Sequence, residues 1–167
     1  IMTLFYKKGK MVTIILTTYN RPLFLQRILN YLNQKKINYP IILGDASDEK
    51  HLISNKKFVE KFSNYLQIKH LVFNSKSDHW EVFSPCLDQV ATKYVLGMAE
   101  DDFIIPETIK TTIEFLEAHS SFVAAQGRQI AFSTDSDGPY SNTIRTMPLN
   151  MVNFSIDLNH SCYWAGE

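Results

Sequence analysis

Glu100-Asp101-Asp102 places three carboxylates directly after the apolar run Tyr94-Val95-Leu96-Gly97-Met98-Ala99. Like charges this close repel one another unless a cation lies among them. Hard carboxylate oxygens suit Mg²⁺ or Mn²⁺, ions that keep several waters and bridge one or two protein carboxylates to phosphates. In an extended chain alternate side chains share a side. Glu100 and Asp102 are therefore expected to face one ligand, while Asp101 points elsewhere or bends round at the turn. The competing explanation is an acidic start to the helix that Pro106-Glu107 opens.

Two more polar stretches follow apolar runs in the same way. Thr17-Thr18-Tyr19-Asn20-Arg21-Pro22 comes after residues 11–16 and offers hydroxyls, an aromatic ring and a helix amino-terminus to a ligand. Asp45-Ala46-Ser47-Asp48-Glu49 comes after Pro40-Ile41-Ile42-Leu43-Gly44. There Asp45 is expected to accept a hydrogen bond from a ribose hydroxyl or a base N–H, and Ser47 or Asp48 to cap the next helix. His79, at the end of the polar stretch 74–81, is weighed as a phosphate contact, although a lone histidine is more often structural.

The elements that must position these groups are legible in the hydrophobic pattern. Apolar, β-branched runs predict strands over 11–16, 40–44, 68–73 and 93–99. Helical spacing of Leu23, Leu25, Ile28, Leu29 and Leu32 predicts a helix that begins near Pro22, and further helices fall over 51–62, 83–92, interrupted early by Pro85, and 109–116. Alternation of this kind over the first 116 residues implies an α/β fold: a mostly parallel sheet flanked by helices on both faces, with ligands bound outside the carboxyl ends of its strands. The three polar stretches then converge on one edge. Beyond residue 118, strands are expected within 122–126 and 130–132, and the polar segment 133–142 reads as a mobile loop or a lid. Periodicity is unclear around Thr143-Ile144-Arg145 and over 159–164.

Composition narrows the function. With 167 residues, 45% of them hydrophobic, the chain can bury a real core as a single domain. Seventeen basic and seventeen acidic residues cancel, which argues against a general nucleic-acid or membrane-surface role. No apolar run approaches membrane-spanning length. Cys86 and Cys162 are far apart and read as ordinary thiols of a reducing, cytoplasmic compartment, with a single disulfide the less favoured alternative. Ile1 before Met2 looks like a cloning scar and Trp164-Ala165-Gly166-Glu167 carries no stop signal, so the chain is expected to be a truncated domain.

Taken together, Ile14-Ile15-Leu16-Thr17-Thr18-Tyr19-Asn20-Arg21-Pro22, Gly44-Asp45-Ala46-Ser47-Asp48 and Ala99-Glu100-Asp101-Asp102-Phe103-Ile104-Ile105-Pro106-Glu107 resemble the family 2 glycosyltransferases of GT-A fold, over about residues 11–118. The resemblance implies a nucleotide-diphosphosugar transferase of the kind that builds bacterial surface polysaccharide, with a saccharide or lipid-linked acceptor. Residues 11–118 would be the nucleotide-sugar-binding half and 119–167 the start of the acceptor side. It implies nucleotide contacts from Thr17, Tyr19, Asn20, Arg21, Asp45 and Asp101, and a divalent ion, Mg²⁺ or Mn²⁺, at Glu100 and Asp102. The family's basic residue and Asn before the acidic strand have no clear match around residues 79–88. The general base lies beyond the acidic motif in the family, so donor binding with little or no transfer is expected of this chain; Asp157 and Glu167 lack a recognisable context. In the full-length protein, cytoplasmic and peripheral to the inner membrane is the implied location. The alternatives are a non-catalytic nucleotide-sugar-binding module and, ranked last, a flavodoxin-like signalling domain, which would gather its acids after the first strand.

Overall fold

The computed structural model describes residues 4–6, 12–127, 130–135, 138–141 and 144–146. Its first long strand, β2 (Val12–Thr18), follows a short β1 (Leu4–Tyr6) and is buried along nearly its whole length, as a continuous apolar run in a covered parallel sheet must be. Helix α1 (Pro22–Gln34) opens with Pro22 in its first turn and buries Leu25, Ile28, Leu29 and Leu32 completely; each contributes about 1.5–3 kcal/mol of transfer free energy. There follow β3 (Ile41–Asp45), α2 (Glu49–Phe62), β4 (Ile68–Val72), α3 (His79–Asp88), β5 (Tyr94–Ala99) and α4 (Pro106–Ala118), then the short strands β6 (Ala124–Ala125), β7 (Phe132–Thr134) and β8 (Ile144–Thr146).

Strand order in the main sheet is β4-β3-β2-β5-β1-β6. The β2–β3, β2–β5 and β3–β4 pairs are parallel, and β1 runs antiparallel to both β5 and β6. The fold is thus the expected α/β arrangement with a mostly parallel sheet. One face carries α1, α2 and α4 over a core that includes Leu16, Leu43, Val59, Leu96 and Ile109. The other carries α3 over Ile15, Ile42, Phe83, Cys86 and Val95. A flavodoxin-like order would set the first parallel strand between the second and the third. Here β2 lies between β3 and β5, with β4 at the sheet's edge, so that alternative falls.

The observed elements correct several boundaries. α3 begins four residues before the expected 83, because Asp78 and Glu81 form a reciprocal capping box: the Glu81 N–H donates to Asp78 Oδ1 at 2.8 Å and the Asp78 N–H to Glu81 Oε2 at 3.0 Å. Pro85 is carried inside that helix. Asp48 does occupy the N-cap of α2, but its carboxylate binds His51 Nδ1 at 2.6 Å instead of a first-turn amide. Ser133 and Thr134, expected in a polar loop, belong to β7, which pairs antiparallel with β8. Cys86 is a free, buried thiol, pushed up to about 11 by burial. Cys162, Asp157, Glu167 and the stretch 159–164 lie outside the described residues. Among those described, no helix is long and apolar enough to cross a membrane.

Candidate functional site

Register brings the strand tips together. Thr18 of β2 is level with Asp45 of β3, and Thr17 is level with Ala99 of β5, so the three polar stretches leave the sheet side by side. Between β2 and β5 the chain direction of sheet growth reverses, which opens a crevice outside the carboxyl ends. A cleft of about 270 Å³ lies there, lined by Thr17, Thr18, Tyr19 and Arg21 from the first loop, Ala46 from the second, His79 and Val82 of α3, and Ala99, Glu100 and Asp101 from the third. Of the expected site residues, Thr17, Tyr19, Arg21, Glu100 and Asp101 line this cleft. Asn20, Asp45 and Asp102 stand beside it.

β5 stops at Ala99, and the Asp102 N–H donates back to the Ala99 carbonyl at 3.2 Å. This turn ends the alternation on which the pairing of Glu100 with Asp102 was expected. Glu100 and Asp101 are the two acids that face the cleft instead. Glu100 is 6% exposed. Burial pushes its carboxyl up to about 7, with Asp101 adding repulsion, against the lowering effect of Arg21 and of the Tyr19 N–H that it accepts. Such a buried carboxyl calls for countercharge. The Arg21 guanidinium supplies part of it, with NH1 2.9 Å from Asp101 Oδ2 and Nε 4.0 Å from Glu100 Oε1.

Asp45 is fully buried. Its Oδ1 accepts the Ser47 N–H at 2.9 Å, and its Oδ2 meets Asn55 Nδ2 and His70 Nε2, each at 3.0 Å. Burial by itself would raise this carboxyl; the bonds from His70, Ser47 and Asn55 outweigh it and hold Asp45 below the usual carboxylate range. Ala46, not Asp45, reaches the cleft surface. Asn20 is one of two non-glycine residues with positive φ among those described, at 55°, a conformation Asn tolerates well. Its N–H donates to Ser47 Oγ and its Oδ1 accepts the Asp48 N–H, both at 2.9 Å, so it clips the first loop to the second. Thr18 is 3% exposed, and its Oγ1 has no hydrogen-bond partner among the described residues.

One residue that sequence reasoning passed over is Arg27, on α1. Its NH2 donates to the Asp101 carbonyl at 3.0 Å and the Glu100 carbonyl at 3.5 Å, and its NH1 to the Pro139 carbonyl at 3.1 Å. The guanidinium lies 4.9 Å from the Phe24 ring centroid and 4.5 Å from that of Phe103. Tyr31, one turn on, donates its hydroxyl to the Ile104 carbonyl. The acidic turn is therefore held through its backbone by α1, leaving the carboxylates to the cleft. A second, wider depression of about 350 Å³ sits at the amino ends of the strands. Its polar side chains have partners, Thr13 with Thr92, Lys69 with Gln89 and Gln67 with Asn38, so it offers little to a ligand.

Residues 13–166 match the model of the glycosyl transferase family 2. The chain belongs to that family. Among solved structures, it is similar to S. aureus TarS 1-349, at 28% identity and a TM-score of 0.53, over 66% of this chain and 33% of that one. The family member described here thus spans about a third of the length of that structure. A search of curated proteins returns no match. Membership and the GT-A-like fold agree with the reading of the three strand-end motifs.

Glu100 and Asp101 are the acids of the cleft that could hold a divalent ion. The carboxylate oxygens of Glu100 and Asp101 are of the hard type that Mg²⁺ and Mn²⁺ prefer, and the buried Glu100 is the kind of group a cation stabilises. No three His, Cys, Asp or Glu side chains among the described residues converge on one point. An ion held here would complete its shell with phosphate and water, which is the usual habit of Mg²⁺.

Proposed function

We propose that this domain binds a nucleotide-diphosphosugar and presents its sugar for transfer to a hydroxyl of a saccharide or lipid-linked acceptor, in surface-polysaccharide assembly on the cytoplasmic side. The observation that carries the reading is the cleft at the β2–β5 switch point, where Tyr19 of the first loop meets Glu100 and Asp101 of the third. Family membership supports glycosyl transfer in general.

In this reading Thr17 and Tyr19 bind the base and ribose, the half-exposed Tyr19 ring offering a stacking surface and Thr18 a buried hydroxyl in search of a partner. Asp45 and Asn20 act through the loop: they fix Ser47 and Ala46 at the cleft wall. Arg21 and His79 are the basic groups facing the diphosphate. Glu100 and Asp101 would hold Mg²⁺ or Mn²⁺, with Asp102 the next carboxylate on the turn. When bound, the ion neutralises charge that develops on the departing nucleoside diphosphate. Arg27 and Tyr31 keep the acidic turn in place while the ligand exchanges. The free Cys86 thiol accords with a reducing compartment.

Calorimetric titration of the protein with UDP, GDP, CDP and dTDP, with and without Mn²⁺, tests the reading. At least one nucleotide is expected to bind in a metal-dependent way. Absence of binding by all four, with and without the metal, would sink it.

A further inference from the structure

The Arg21 guanidinium sits where a cation is needed. It contacts Asp101 at 2.9 Å, approaches Glu100 to 4.0 Å, and lies over the Phe24 ring, 5.4 Å from its centroid. Among the described residues that line the cleft it is the one with a permanent positive charge. Arg21 is also 52% exposed along its side chain, so apart from the face of Phe24 little packing fixes it there. An exposed ion pair of this kind is weak and easily exchanged.

We propose that Arg21 is a built-in counter-ion for the acidic turn that exchanges partners when donor binds: it neutralises Asp101 and Glu100 in the ligand-free protein, yields them to the divalent ion, and moves its fork to the diphosphate. The inference rests on the nucleotide-sugar reading of the cleft. Its physical basis is charge balance. A lone divalent ion must displace the guanidinium, which costs affinity. An ion that arrives with a diphosphate brings the displaced guanidinium a new anionic partner, one that the fork can bind by two parallel hydrogen bonds. Metal without nucleotide is thereby disfavoured, and metal with nucleotide is favoured. Arg21 is on this view a positioning and selectivity residue, and its effect on the two ligands has opposite sign. A simple structural role would weaken both.

The test compares wild-type protein with Arg21→Gln and Arg21→Lys, each checked by thermal unfolding. Free Mn²⁺ is followed by its paramagnetic resonance signal, and UDP, GDP, CDP and dTDP are titrated calorimetrically in the presence of Mn²⁺. Arg21→Gln is expected to bind Mn²⁺ alone about two- to fivefold more tightly at low salt, a gain that shrinks at high salt, the scale of an exposed ion pair. It is expected to bind the preferred nucleoside diphosphate about tenfold more weakly. Arg21→Lys should keep the wild-type Mn²⁺ affinity and recover only part of the nucleotide affinity, because an ammonium lacks the planar fork. If Arg21→Gln leaves Mn²⁺ affinity unchanged or lowers it while wild type binds a nucleotide, the counter-ion exchange is overturned and the nucleotide-sugar reading stands. If wild type binds none of the four nucleotides with Mn²⁺, both fall together.

Discussion

Arg27 on α1 donates a 3.0 Å hydrogen bond to the backbone carbonyl of Asp101, seventy-four residues later in the chain. Because it grips the main chain of the acidic turn and leaves the carboxylates alone, it can position the ligands without competing for them. Arg27→Ala is expected to lower stability by about 1–2 kcal/mol, the cost of losing its bonds to the part-buried and exposed carbonyls of Glu100, Asp101 and Pro139, and to weaken nucleotide binding in the presence of Mn²⁺. Arg27→Lys should recover little, since one ammonium cannot reproduce the fork that spans Asp101 and Pro139. Urea unfolding and calorimetry measure the two effects; full binding in the alanine variant would remove Arg27 from the site.

The turn after Ala99 separates the roles of neighbouring acids. Asp101 lines the cleft, whereas Asp102 does not. Asp101→Asn should therefore reduce Mn²⁺-dependent nucleotide binding by about tenfold or more, and Asp102→Asn by clearly less. The reverse order would restore the alternating arrangement that an extended chain would give.

Asp45 sets an acid limit on the fold. Its carboxyl is held below the usual range by His70, Ser47 and Asn55, so the stability it contributes is complete above the unfolded value of about 4 and is lost as pH falls from there through the lower, folded value. Asp45→Asn is expected to cost about 2–4 kcal/mol near neutral pH, since it breaks a buried charged network, and to flatten the loss of stability below pH 4. Chemical unfolding of both proteins between pH 3 and 7 checks it, and an unchanged acid slope in Asp45→Asn would place the dependence elsewhere.

α3 is seated on the sheet through glycines. A Cβ at Gly44 would come within 2.7 Å of Val82 Cγ1 and 3.0 Å of Cys86 Sγ. The stiff, β-branched Val82 has little room to give. Gly44→Ala is thus expected to destabilise by about 1–3 kcal/mol and, because His79 and Val82 of α3 line the cleft, to weaken nucleotide binding as well. Thermal unfolding and the nucleotide titration report on each; unaltered melting would mean that α3 shifts without cost.

Much of the lining of the candidate cleft was legible because its signals are local. Apolar runs that end in polar clusters mark strand tips, and strand tips in a parallel α/β sheet share an edge, so Thr17, Tyr19, Arg21, Glu100 and Asp101 could be listed before any contact was known. The resemblance carried by those same residues agrees with the family match. What was not legible depends on distant partners. Nothing within a few residues of Asp45 announces that Asn55 and His70 will enclose it, and nothing near Arg27 points to Asp101 or Pro139. The extended-chain rule that paired Glu100 with Asp102 does not extend past the strand, because a turn follows Ala99 and puts Asp101 beside Glu100 in the cleft lining. The capping box at Asp78 and Glu81 was a local signal that could have moved the start of α3.

The sequence by itself determined the alternation of strands and helices, the polar character of each strand end and the presence of acids where a cation could be held, since periodicity and residue chemistry are properties of neighbours. Tertiary structure decided which acids face the cleft, that Asp45 is enclosed, that Arg21 pairs with the acidic turn and that Arg27 holds its backbone. Those outcomes depend on strand order, register and helix seating, which bring together groups that no short stretch of chain contains.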